Sequence, residues 1–156
     1  MYSISFSINF SRFGKKMELI KQYSATTEED TKSIALDLSA RFQVNDIVLL
    51  EGDLGSGKTF LVKALCEIWQ TTDEAASPTF AILHQYRGKM PVNHFDLYRI
   101  ETVDELDNLG WEEFLEMDAV TFIEWPQILE AQLDEYYKIK INMQGVKREF
   151  ELYRSN

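Results

Sequence analysis

The sequence holds a single cysteine, Cys66, in 156 residues. No intramolecular disulfide can form, which fits a reducing compartment such as the cytoplasm. No apolar run approaches the ~20 residues that cross a bilayer as a helix, so no membrane partner is expected. The start lacks a basic stretch followed by an uninterrupted apolar one, which argues against a signal peptide. Repeats, low-complexity tracts and long linkers are also missing, and the length suits one domain around one core. Positive charge is scarce: 16 Lys and Arg stand against 26 Asp and Glu, a net charge of −10. A protein that holds nucleic acid unaided presents a basic patch to release phosphate counterions. Residues 101 to 118 instead carry eight acids and no base. Unaided DNA or RNA binding is therefore not expected. The acidic run reads as a solvated helix face, with a docking surface for a basic protein as the alternative.

What is present is the composition of a folded globule, 45% apolar and 27% charged. Met1 to Lys16 alternates Ser or Asn with Ile or Phe. This stretch (1–16) is set apart as an extension, either mobile or the product of an upstream start codon, ahead of one domain at 17–156. Glu18 to Tyr23 reads as a short strand. Thr26 with Glu29 three residues on has capping-box spacing, and Ile34, Leu38 and Phe42 recur at helical intervals, which predicts a helix over about 27–42. Asp46 to Glu51 (DIVLLE) has the pattern of a buried parallel strand, and Lys58 to Gln70 reads as a helix. Phe80 to Arg87 and Val92 to Arg99 predict an antiparallel pair. Short acidic helices follow around Val103 to Asn108 and Trp111 to Met117. Ala119 to Glu124 (AVTFIE) is a second buried-strand pattern, and 136–143 with 147–153 suggest a terminal hairpin.

Between the first buried strand and its helix stands Gly52-Asp53-Leu54-Gly55-Ser56-Gly57-Lys58-Thr59, followed by Phe60. This matches the P-loop pattern in the strand–loop–helix context that gives the pattern meaning. The glycines permit close backbone approach, successive N–H groups face one concavity, and the helix N-terminus favours anions. Lys58 would add a point charge at the β- and γ-phosphates, and the Thr59 hydroxyl would be a Mg²⁺ ligand. A metal site of this kind needs a carboxylate at the end of a neighbouring strand. Glu124, closing AVTFIE, fits that role, or else caps the turn before Pro126. Asp96 is the next candidate, and it could equally face solvent on a half-buried strand. The Asn-Lys-x-Asp motif that reads guanine is missing, which favours ATP over GTP. Asp107-Asn108-Leu109-Gly110 imitates a GTPase switch but follows an acidic helical stretch rather than an apolar strand.

Together these pieces resemble the TsaE (YjeE-type) ATPases of tRNA threonylcarbamoyladenosine biosynthesis. The similar segments are the 52–59 loop, Ser77-Pro78-Thr79-Phe80, His94-Phe95-Asp96-Leu97-Tyr98-Arg99, Glu105-Leu106 with Leu109-Gly110, and Glu124-Trp125-Pro126. The resemblance spans about 17–153. It implies an α/β fold of the P-loop NTPase type, three layers with a central, mostly parallel sheet and some antiparallel strands. It also implies a bacterial cytosolic ATPase, slow alone, that works with TsaD and TsaB and meets tRNA only through them. On that resemblance Lys58 binds phosphate, Thr59 and Glu124 hold Mg²⁺, and Asp96 orders the metal shell or the attacking water. Ser77, Pro78 and Thr79 form a switch segment, Glu28 is a weaker nucleotide contact, and Trp125 either lies near the nucleotide or packs. Arg99 is either an arginine finger or an ion-pair partner of the acidic run. The competing expectations are a small P-loop metabolite kinase and a module that senses ATP without splitting it.

Overall fold

The computed structural model describes residues 15–73 and 82–156. Its frame is one eight-stranded mixed sheet in the order β1-β8-β7-β2-β6-β5-β4-β3. The strands are β1 (Met17–Ala25), β2 (Ile47–Gly52), β3 (Thr72–Asp73), β4 (Leu83–Arg87), β5 (Val92–Asp96), β6 (Val120–Glu124), β7 (Tyr137–Gln144) and β8 (Lys147–Ser155). The helices are α1 (Glu28–Ser39), α2 (Lys58–Ile68), α3 (Val103–Asp107) and α4 (Trp111–Leu115). Two 3₁₀ turns, Pro126–Ile128 and Glu130–Gln132, follow β6.

The parallel part of the sheet is central, as expected: β7, β2, β6 and β5 run the same way. The flanking pairings are antiparallel. They make up four of the sheet's seven pairings, so the sheet is less parallel overall than the sequence suggested. β2 and β6 are apolar runs because both their faces are covered. Val48 and Leu50 join the cluster formed with α1 and α2, while Leu49 between them packs into the cluster holding Leu106 of α3 and Trp111 of α4.

The first helix begins one residue later than its sequence signal. Thr27, not Thr26, is the N-cap, and Asp30, not Glu29, closes the capping box. The Asp30 N–H donates to Thr27 Oγ1 (3.1 Å), and Asp30 Oδ2 accepts from the backbone N–H groups of Thr26 and Thr27 at 2.9 and 3.0 Å. Thr27→Ala is expected to lower stability by about 1 kcal/mol, the usual cost of a lost N-cap side chain, measured by denaturant unfolding. Asp37 ties the same helix to β1. It accepts from the Tyr23 hydroxyl (2.6 Å), Lys21 Nζ (3.1 Å) and Arg41 Nε (3.2 Å). The Tyr23 hydrogen bond, with those from Lys21 and Arg41, pulls the Asp37 carboxyl down from 3.8 to about 2. A carboxylate depressed in the folded state stabilises at pH above its unfolded value, and that contribution fades as pH falls through the folded one. Asp37→Asn should therefore flatten the acid limb of the stability profile between about pH 4 and 2, read as melting temperature against pH.

The eight acids between 101 and 118 are all exposed, which agrees with a solvated face. Two of them serve local structure. Glu105 closes a capping box on Thr102, and Asp107 accepts the Trp111 indole N–H at 3.0 Å. The likeness of 107–110 to a GTPase switch thus falls on the junction between α3 and α4, not at the end of a strand.

Candidate functional site

β2 ends at Gly52, and the chain turns through Gly55 and Gly57 into α2. Both glycines have positive φ, 77° and 106°, in the region L-residues with a Cβ avoid. Gly57 is the N-cap of α2, so the loop delivers its backbone to the positive end of an eleven-residue helix. Ser56 is fully buried beneath it, and its N–H donates to the Asp53 carbonyl at 3.0 Å. Lys58 Nζ donates to the carbonyls of Gly52 (2.6 Å) and Asp53 (3.0 Å) and sits 4.4 Å from the centre of the Trp125 ring. Burial lowers the Lys58 pKa, against the opposing pull of Glu124, Asp96 and Asp53.

Across the sheet, side-chain alternation places His94 and Asp96 on one face of β5, with Phe122 and Glu124 on the same face of β6. Phe122 and Val92 pack in the cluster of α1 and α2, so this is the face above which α2 starts. Asp96 and Glu124 are partners in the parallel register, and both stand at the strand ends. Glu124 Oε1 accepts from the Thr59 hydroxyl (2.7 Å) and from His94 Nε2 (2.8 Å). Burial alone would push the Glu124 carboxyl up. The hydrogen bonds from His94 and Thr59, with the Lys58 charge, outweigh that and hold it below the usual range. The next residue, Trp125, adopts the left-handed region at φ 56°, a conformation unusual for a bulky side chain. Its ring contacts both Lys58 and Tyr98, whose ring centre lies 4.9 Å away.

Lys58, Thr59, Asp96, Tyr98, Glu124 and Trp125 border a cavity of about 640 Å³. Of the residues singled out in the sequence, Glu28, Leu54, Gly55, Gly57, Lys58, Thr59, Phe60, Asp96, Glu124 and Trp125 line it. Gly52, Asp53 and Ser56 stand behind the wall, where the first two supply carbonyls to Lys58. Asp96 is exposed and its Oδ1 accepts the Tyr98 N–H at 3.1 Å. Ser77, Pro78 and Thr79 lie outside the described residues. Arg99 is exposed and does not border the cavity, and among the described residues it has no ion-pair partner.

Sequence reasoning missed contributors from three places in the fold. His94 was named only as part of a motif, although it stands two residues before Asp96, which in a strand means the same face. Arg148 of β8 donates from Nε to the Ser56 carbonyl at 2.9 Å, a contact between positions 92 residues apart. No local signal reports such a pairing. Thr26, Thr27 and Thr31 join the wall from the start of α1; the sequence marks the first two only as the beginning of a helix and gives Thr31 no role.

The chain matches the family described as "Threonylcarbamoyl adenosine biosynthesis protein TsaE" over residues 25–150. The chain belongs to the TsaE family. A relative from Bacillus subtilis, named tRNA threonylcarbamoyladenosine biosynthesis protein TsaE, is 37% identical over 73% of this chain and 72% of its own. A TsaE protein of the same description from Rickettsia conorii is 35% identical over 80% and 71%. One from Synechocystis is 42% identical over 59% and 61%. The crystal structure of Bacillus subtilis YdiB superposes with a TM-score of 0.71 at 28% identity, covering 92% of this chain and 88% of that one. The matched segment contains every residue that lines the cavity, the first being Thr26 and the last Phe150. Among the described residues no helix is long and apolar enough to cross a membrane.

Proposed function

We propose that this TsaE chain is a Mg²⁺-dependent ATPase of the P-loop type that serves threonylcarbamoyladenosine modification of tRNA. TsaD and TsaB are its partners in the cytoplasm, and tRNA is met only through them. The observation that carries this reading is the convergence of Lys58, Thr59 and Glu124 on one cavity beside a loop with left-handed glycines. The donor set fits the ion. One hydroxyl and one carboxylate are hard oxygen ligands, too few for an all-protein cage, and Mg²⁺ keeps waters and takes the rest from phosphate. Among the described residues no cluster of three or more His, Cys, Asp or Glu could hold a metal on its own, which fits the same view.

In this reading the loop N–H groups and the α2 N-terminus bind the β-phosphate, and Lys58 reaches the β/γ bridge. The metal, when bound, neutralises charge that builds on the phosphoryl oxygens. Thr59 and Glu124 hold it, and Asp96, exposed at the cavity edge, orients the water that attacks the γ-phosphorus. Thr26, Thr27, Glu28 and Thr31, facing Val146 and Phe150 of the terminal hairpin, leave room for sugar and base. The kinase alternative would need cations above the transferred group, but among the described residues only Lys58 and Arg148 line the cavity as bases.

Steady-state phosphate release from ATP tests the reading. Slow release that requires Mg²⁺ and quickens when TsaB and TsaD are added is the expected result. Equal rates with and without the partners would remove the partner dependence. No release under either condition would remove the enzyme.

A further inference from the structure

His94 is buried, 3% exposed, and its two ring nitrogens have unequal surroundings. Nε2 lies 2.8 Å from Glu124 Oε1. Nδ1 is buried with no hydrogen-bond partner among the described residues. An ionised carboxylate only accepts, so Nε2 carries the proton and donates it to Glu124. The lone pair then falls on Nδ1, where going unpartnered costs less than a buried N–H would. A histidine kept only for packing has no reason to accept an orphaned nitrogen, since phenylalanine would fill the same space without one.

The same Oε1 also accepts the Thr59 hydroxyl at 2.7 Å. Two donors from two different elements, β5 and α2, thus converge on one oxygen of Glu124. They fix its χ angles and leave Oε2 outside that contact. Carboxylates that meet a metal are commonly oriented by hydrogen bonds from groups that do not touch it.

We propose that His94 is a positioning residue for the metal-side carboxylate: its Nε2–H holds Glu124 Oε1 so that Glu124 presents its remaining oxygen to Mg²⁺ in the nucleotide complex. This rests on the reading of Glu124 as a Mg²⁺ ligand. His94 acts on the metal through Glu124 and Thr59 and makes no contact with nucleotide.

The test is binding of an ATP analogue with an imido β–γ bridge, titrated with Mg²⁺ on the full chain. In the wild type Mg²⁺ should tighten analogue binding. In His94→Phe, which removes both the Nε2 donor and the orphaned Nδ1, the Mg²⁺ concentration at half-effect should rise about 10–100-fold, as when outer partners of metal ligands are lost. Affinity for the analogue without Mg²⁺ should stay unchanged, since the glycine loop and Lys58 are untouched. His94→Gln, whose amide nitrogen reaches the position of Nε2, should recover most of the loss. His94→Ala serves if the Phe variant does not fold. An unshifted Mg²⁺ midpoint in the donor-less variant overturns the inference while leaving Glu124 as ligand, and so does a His94→Gln variant no better than His94→Phe. A wild type whose analogue binding ignores Mg²⁺ overturns both the inference and the reading beneath it.

Discussion

Lys58→Ala is expected to reduce phosphate release by about 10²–10³-fold, the range seen when one pre-organised donor is taken from a site that stabilises developing charge. The Lys58 ammonium is held in place from behind by the Gly52 and Asp53 carbonyls and capped by the Trp125 ring. It cannot be replaced by water without losing both its charge and its fixed position. Its environment also concentrates its effect, because burial leaves little solvent to screen the charge. Glu124→Ala should cost a comparable factor for a different reason. It strips the acceptor shared by Thr59 and His94, so the hydroxyl loses its aim and a buried imidazole loses its partner. Melting curves on both variants separate lost chemistry from lost fold. A Lys58→Ala protein that releases phosphate at the wild-type rate would remove the loop from the mechanism.

Phe122→Ala should be the most damaging single change to stability, about 3–5 kcal/mol for an aromatic deleted from a closed core. Phe122 is wholly buried at the middle of β6, with the Phe42 ring 6.0 Å away edge-on and the Trp69 ring 6.2 Å away. The core cluster that holds this side chain draws on α1, α2 and six strands of the sheet, so none can collapse into the space without disturbing another. At ~2–4 °C per kcal/mol for a chain of this size, the melting temperature should fall by about 6–20 °C. Calorimetry reads this directly, and a fall of only a degree or two would mean that the core around β6 is not close-packed.

The parts of this molecule legible in its sequence are those whose cause is local. The Gly52–Thr59 turn and the start of α2 were fixed by glycine and by the switch from a strand run to helical spacing. The capping box slipped by one because Thr26-x-x-Glu29 and Thr27-x-x-Asp30 satisfy the same spacing. The structure seats the cap at Thr27, where the Asp30 carboxylate takes the N–H groups of both Thr26 and Thr27. The helix over 27–42 was likewise overextended: its last turn gives way after Ser39, although Phe42 still packs in the core. The pairing of β1 with β8 joins opposite ends of the chain, and that of Arg148 with the Ser56 carbonyl spans 92 residues. Strand patterns carry no address for their partners, so neither could be read in advance. Glu124 was reachable because it closes an apolar run before Pro126, whereas its neighbour His94 looked like an ordinary interior residue until β5 and β6 were set side by side. The resemblance to TsaE rested most on the His94–Arg99 and Glu124–Pro126 segments, and the sheet brings the two together: Asp96 and Glu124 are direct partners across β5 and β6.

The wide spacing along the chain of the groups around Glu124 bears on how the protein is made. The loop with Lys58 and Thr59 leaves the ribosome early, but the carboxylate that meets Thr59 follows 65 residues later, and Arg148 later still. Moreover β2, which supports the loop, has both of its neighbours, β6 and β7, supplied by chain yet to come. Long-range parallel pairing of this kind is slow and closes late. A nascent chain therefore carries a recognisable phosphate loop for most of its synthesis without the sheet that makes it a site. The sheet that supports the proposed site is complete only once β6, β7 and β8 have been made, so a chain stalled before them lacks both Glu124 and Arg148.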